Sequence, residues 1–229
     1  GQLTAMGDLQ VEATDIANLG VLGAADQLQI TSAKLYNHLG LVFSGNNMFL
    51  QIDQLANHDA DIYSLAGLRL TGQDPARRAQ QLDNISGTIE SAGNMQLNVD
   101  QLNNRKEVFR EEQVQLEGAM TVRCYDCSGD HHNVDYIGRE VFESRVLEDS
   151  PAALLHSGGQ LSIQATDIAN RFSTLSASGD LLIQADNLQN LGAVGARTER
   201  TRTWNTGRTT DGTDSRFRRD YINPYNLAA

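Results

Sequence analysis

GDLQVEATDIANLG at residues 7–20 and GDLLIQADNLQNLG at residues 179–192 are one phrase in two wordings. Reduced to L-x-[VIL]-x-x-x-x-[IL]-x-N, the phrase is read as Leu9, Val11, Ile16, Asn18, then as Leu28, Ile30, Leu35, Asn37 and as Met48, Leu50, Leu55, Asn57. It returns as Met95, Leu97, Leu102, Asn104, as Leu161, Ile163, Ile168, Asn170 and as Leu181, Ile183, Leu188, Asn190. A further copy, Leu68, Leu70, Leu82, Asn84, fits once seven residues around GQDPARRAQ are looped out. Undisturbed asparagines lie 19 or 20 residues apart. A period of that length constrains the fold more than any local propensity, because one unit cannot bury its apolar face without its neighbours.

Within a unit, the alternation Leu181-x-Ile183-x-Ala185 has the period of two that marks a strand with one buried face. A second strand surrounds the Leu-x-Asn step. A third follows about five residues later, at Val42, Ile62, Ile89 and Leu175. Parallel stacking of such units makes aliphatic columns, and the expected fold is an all-β parallel β-helix. Seven coils at about 4.8 Å give a rod of about 30–35 Å. Only 6% of residues are aromatic, which suits thin layers of Leu, Ile, Val and Ala. Asn18, Asn37, Asn57, Asn84, Asn104, Asn170 and Asn190 are read as structural, either as an amide ladder between coils or as turn formers. Residues 1–6, GQLTAM, read as the last strand of a preceding coil, so a piece of a longer filament is expected, with further coils beyond it; nothing in residues 1–20 resembles a signal peptide.

The phrase divides the chain into coils at 1–104 (with a loop insertion near 72–80), a projecting β insertion at 105–157, further coils at 158–196, and non-repeat strands at 197–229. The insertion alternates as Val114-x-Leu116, Met120-x-Val122-x-Cys124 and Val134-x-Tyr136, which predicts a hairpin tipped near 126–133. The last segment holds seven arginines against four acids, on a chain whose net charge is −11. The two departures hold eight of the thirteen aromatic residues, and exposed Tyr, Trp and Arg are the types enriched at binding hot spots. Phe109, Tyr125, His131, His132, Tyr136, Phe142, Arg202, Trp204, Arg208, Phe217 and Tyr221 are therefore the candidate binding residues, with packing of the rings against the rod as the competing role.

Two constellations bear on chemistry. In RCYDCSGDHH, Cys124, Cys127, His131 and His132 suit a small disulfide loop, a zinc site lacking the usual second knuckle, or free thiols. Asp15, Asp53, Asp100, Asp167 and Asp186 precede second strands, but only Asp167 and Asp186 fall on successive coils, one position out of step, while other coils put Gln80 or Gln101 there. That is a solvated face, not a set of convergent acids. No catalytic residue, metal or cofactor is expected. The acidic net charge argues against a nucleic-acid binder, since phosphate binding needs a basic face, and no apolar run is long enough to span a membrane.

GDLLIQADNLQNLGA and GGQLSIQATDIANRFSTLSASG resemble the filamentous haemagglutinin repeats of exoproteins secreted by the two-partner pathway. Coils broken by arginine- and tyrosine-bearing strands resemble the receptor-binding portion of CdiA-type contact-dependent growth inhibition effectors. The resemblance implies a right-handed β-helix on a bacterial cell-surface filament, without enzymatic activity. It implies docking on an outer-membrane protein or lipopolysaccharide of a neighbouring bacterium, so that a toxin elsewhere in the chain is delivered. A host-cell or biofilm adhesin, or less readily a polysaccharide-active β-helix enzyme, is the alternative. Passage through an outer-membrane pore is compatible with a Cys124–Cys127 loop, which is small.

Overall fold

The computed structural model describes residues 1–193 and 195–228. It divides into two compact units, one of residues 1–109 with 149–193 and one of residues 110–148 with 195–228.

The first unit is a parallel β-helix. Strand β1 (Gln2–Ala5) precedes a coil of β2 (Leu9–Glu12), β3 (Asp15–Asn18) and β4 (Val21–Ala24). The second coil is β5 (Leu28–His38) and β6 (Leu41–Ser44), and the third is β7 (Met48–His58) and β8 (Asp61–Ser64). In the fourth, β9 (Leu68–Thr71) is separated by the 72–78 loop from β10 (Ala79–Ile85), and β11 (Thr88–Ser91) follows. The fifth begins with β12 (Met95–Arg105). The chain then leaves through β13 (Phe109–Asp126) and β14 (His131–Asp149) and returns to complete the coil with β15 (Leu154–Ser157). Strands β16 (Leu161–Gln164), β17 (Asp167–Arg171) and β18 (Thr174–Ala177) form the sixth, and β19 (Leu181–Gln184) with β20 (Asn187–Leu191) the seventh.

Each repeat residue pairs with its copy. Leu35, Leu55, Leu82, Leu102 and Ile168 form one register column, and Ile30, Leu50, Leu70, Leu97 and Ile163 another. These side chains are at most 2% exposed, and no aromatic ring lies among the buried residues of this core. Full burial of one such aliphatic side chain stabilises by about 1.5–3 kcal/mol, so the columns are the main cohesive force of the rod.

Asparagine carries the polar half of the arrangement. Asn18 Nδ2 donates to Asn37 Oδ1, and the chain of bonds continues through Asn57, Asn84, Asn104 and Asn170 to Asn190, each link 2.8–2.9 Å. The same amides donate to turn carbonyls, as Asn57 does to Ala60 (2.7 Å) and Thr88 (3.1 Å). Two residues past the asparagine the backbone turns left-handed, with positive φ at Leu39, Asp59, Ser86 and Phe172. A second ladder is formed by Ser44, Ser64, Ser91 and Ser157, all fully buried and donating to carbonyls of the following turn. There the coils approach so closely that a Cβ on Gly45 would stand 2.0 Å from the Ala25 carbonyl oxygen.

Two segments and one register position differ from the sequence expectation. The repeat phrase puts the insertion at 105–157, but Leu154–Ser157 is a rod strand paired with Thr88–Ser91 and Thr174–Ala177, so the departure is 110–148. The Leu154–Ser157 strand is detached from its own coil in sequence, which hides its register. Segment 197–229 is not strands throughout; β21 (Arg197–Thr210) is one, but α1 (Asp211–Phe217), a π-helical turn (Arg218–Ile222) and α2 (Asn223–Ala228) follow it. Thr210 caps α1 by accepting from Thr213 N–H. The π turn, closed by Asn223 N–H to the Arg218 carbonyl, stands before Pro224, whose missing N–H cannot continue an α-helical ladder. Finally, the stripe position assigned to Gln80 belongs to Gln81, which pairs with Gln54 and Gln101.

Candidate functional site

The second unit is built on a sheet in the order β13-β14-β21. Side-chain bonds Arg110–Glu148, Gln113–Ser144, Thr121–Ile137 and Tyr125–Asp135 run in opposite order along β13 and β14, as in antiparallel neighbours. Strands β14 and β21 are antiparallel, with Tyr136 opposite Trp204 and Gly138 opposite Arg202. Gly138 gives the indole of Trp204 its place: a Cβ there would lie 3.0 Å from the ring.

The helical segment covers one face of this sheet. Ile222 packs with Val134 and Tyr136, beside Met120 and Val122. Asn226 holds the far end: its Oδ1 accepts from Met120 N–H (2.7 Å) and its Nδ2 donates to the Met120 carbonyl (2.9 Å), as a neighbouring strand would. The Tyr136 and Phe217 rings are 4.9 Å apart, and Phe217 and Tyr221, four residues apart on the helix, are 5.1 Å apart.

Between sheet and helix is a pocket of about 410 Å³, walled by Met120, Tyr136, Trp204 and Phe217, with Thr206, Thr209 and Thr213 at its margins and Asp214 at its base. Asp214 is 2% exposed. It accepts from Arg218 Nε (3.1 Å) and Nη2 (2.5 Å), sits 3.0 Å from His132 Nδ1, and receives the Tyr136 hydroxyl. Burial alone would raise its pKa; the bonds from Arg218, His132 and Tyr136 outweigh burial and hold the carboxyl below its ordinary value. Burial, then the bond to Asp214, pushes Tyr136 up to about 12. Asp214 is thus a fixed anion that anchors the helix to the sheet, with its lone pairs already engaged. The pocket above it offers aromatic faces and threonine hydroxyls, a surface for an apolar or ring-bearing group.

Of the residues singled out by sequence, Tyr136, Trp204 and Phe217 come together here. Tyr136 is buried as a wall, whereas Trp204 and Phe217 are 47% and 38% exposed. Tyr221 is exposed beside Phe217, and His132 sits beneath. Phe109 is placed elsewhere, stacked at 4.2 Å on Phe172 of the rod, and Phe142 lies under the Arg200 guanidinium. Tyr125 donates to Asp135 (2.5 Å) and accepts from Arg123, and its bond to Asp135 is the main cause of that carboxyl's lowered pKa. The basic stretch meets acids of the same unit: Arg200 binds Glu140, and Arg139 binds Glu199. Among the described residues, Arg202 and Arg208 have no ion-pair partner. Cys124 and Cys127 are bonded to each other, with Cα atoms 6.0 Å apart, and His131 faces Asp130, so RCYDCSGDHH does not converge on one metal-sized point.

Sequence reasoning passed over Met120, Asp214 and Arg218. The signal was present in the spacing, since Asp214-x-x-x-Arg218 and Phe217-x-x-x-Tyr221 are pairs that meet only on a helix. On the rod, the stripe before the second strands reads Asp15, Lys34, Gln54, Gln81, Gln101, Asp167, Asn187 in register, so acids do not stack into a catalytic row.

The haemagglutinin-repeat family model matches residues 4–74, 67–119 and 133–212. The chain belongs to the haemagglutinin-repeat family. Its members are filamentous, adhesin-type surface proteins, typically secreted. Neither the curated proteins nor the solved structures contain a match. The family match also runs through β14 and β21, which form antiparallel ribbons instead of coils.

Proposed function

We propose that this chain is the receptor-docking segment of a secreted cell-surface filament, in which the rod acts as a spacer and the second unit binds. The observation that carries the reading is the pocket between β21 and α1, whose Trp204 and Phe217 stay exposed over a fixed base. Binding energy concentrates in such aromatic anchors, and Arg202 and Arg208 on β21, which form no ion pair among the described residues, supply charge for an acidic partner. The partner is an outer-membrane protein or the lipopolysaccharide of a neighbouring bacterium. The filament carries further coils, and a toxin elsewhere in the polypeptide is delivered after docking. The chain acts by binding, without catalysis, in keeping with a rod stripe in which Lys34 and three successive glutamines separate Asp15 from Asp167. Among the described residues, no helix is long and apolar enough to cross a membrane.

The test is binding of the purified chain and of its W204A/F217A variant to bacteria lacking individual outer-membrane proteins or sugar cores. Loss of binding in one such strain identifies the receptor. The double variant is expected to bind at least about thirtyfold more weakly, since one such anchor contributes on the order of 2 kcal/mol and the two need not add. Unchanged affinity would move the site off this pocket. Binding to host cells or matrix but to no bacterium would favour the adhesin.

A further inference from the structure

The corner that follows the third coil's asparagine holds three groups with no role in the pocket. His58 ends β7, Asp59 turns the corner at φ 47°, and Glu107 begins the exit from the fifth coil, two coils further along the rod. His58 Nε2 is 3.4 Å from Asp59 Oδ2 and 3.3 Å from Glu107 Oε1, and the three donor atoms lie within 4.8 Å of one another. That nitrogen is shielded from solvent and makes no hydrogen bond.

Both separations are too long for a charge-assisted hydrogen bond, which settles near 2.7–2.9 Å. They match another geometry. Zinc bonds of about 2.0–2.1 Å in a tetrahedron place neighbouring ligand atoms about 3.3–3.4 Å apart. The surroundings hold the ligands in place: Glu107 N–H donates to Ser86 Oγ (2.9 Å), Asp59 N–H to the Ile85 carbonyl (3.0 Å), and the His58 carbonyl accepts from Leu39 N–H (3.2 Å). Among the described residues, no lysine or arginine forms an ion pair with the Asp59 or Glu107 carboxylate, the nearby Arg105 guanidinium donating instead to the Lys106 and Glu107 main-chain carbonyls (2.9 and 3.3 Å). A divalent ion would neutralise the two carboxylates.

We propose that His58, Asp59 and Glu107 form a divalent transition-metal site selective for zinc-class ions, with water as the fourth ligand. One imidazole nitrogen and two carboxylates are a borderline donor set, which favours zinc over calcium or magnesium. The ion ties the third coil to the exit of the fifth, across Ser86 of the fourth. Coils in a solenoid otherwise touch only their immediate neighbours, so this contact clasps the rod where its regular course is interrupted.

The test uses the full chain stripped with a chelator and titrated with zinc chloride by calorimetry, with cobalt(II) as an optical probe. One ion per chain, visible bands of tetrahedral cobalt and a raised melting temperature are expected. Glu107→Gln removes a half-exposed ligand, and Asp59→Asn keeps a residue that tolerates the left-handed corner, so both variants fold. Each is expected to weaken binding by about tenfold or more, as loss of a ligand exceeds loss of an outer-shell partner. An absence of stoichiometric binding, or binding that both substitutions leave unchanged, would overturn the site.

Discussion

In the coils, Asn57 is bonded above and below to copies of itself; in the unit that leaves them, Asp214 is bonded to an arginine, a histidine and a tyrosine. Both are buried polar groups that must be satisfied, since leaving one unpaired costs about 1–3 kcal/mol. The rod meets the requirement by repetition, so one residue type solves every coil. The second unit meets it once, with partners brought from 78 and 82 residues away and from the next helical turn. Repetition produces a uniform surface. The non-repeating solution leaves an apolar pocket walled by several rings, whereas the clefts of the rod mix polar side chains with single rings such as Tyr36 and Phe172, which is why recognition is assigned to it.

Three experiments press on that contrast. The largest effect is expected from Leu82→Ala, which opens a cavity between Leu55 and Leu102 in a fully buried column and costs about 2–5 kcal/mol. Thermal melting followed by far-UV circular dichroism reads the rod. Trp204 is the sole tryptophan, so its fluorescence reads the second unit alone. A Trp204 transition that shifts with the rod's would show that the two regions do not unfold separately.

Asn57→Ala comes next. It breaks the ladder and strips partners from Asn37 and Asn84, at a cost of about 1–3 kcal/mol for an orphaned group. The rod's midpoint in urea should fall, and a midpoint that stays put would mean that the amides serve the turn alone.

The smallest effect is expected from acid. Asp214 titrates below its ordinary value when folded, so it binds its proton less readily there than in the unfolded chain. Its contribution is full above the unfolded pKa of about 3.9 and fades as pH falls through the folded value. Trp204 emission should therefore report loosening of the second unit below about pH 4, and Asp214→Asn should flatten that dependence. An unchanged acid profile in the variant would remove Asp214 as the anchor.

The columns were legible because each coil restates the same alternation: Leu55, Leu82 and Leu102 identify one another by their shared place in the repeated phrase. The buried serines were less visible, since a serine before a glycine looks like an ordinary turn, and only stacking turns Ser44, Ser64, Ser91 and Ser157 into a line. The pocket was half legible. Trp204 and Phe217 stood out as residue types, but Met120 and Asp214 meet them through pairings across some 80 residues that no periodicity encodes.

Composition and period alone determined a stacked parallel solenoid with amides at a fixed corner, because a repeating chain has its neighbour's sequence as its own pairing partner. The helix after Thr210, the pocket it closes and the meeting of His58 with Glu107 were decided only in three dimensions. Each depends on residues far apart in the chain, whose proximity follows from packing and carries no repeat to announce it.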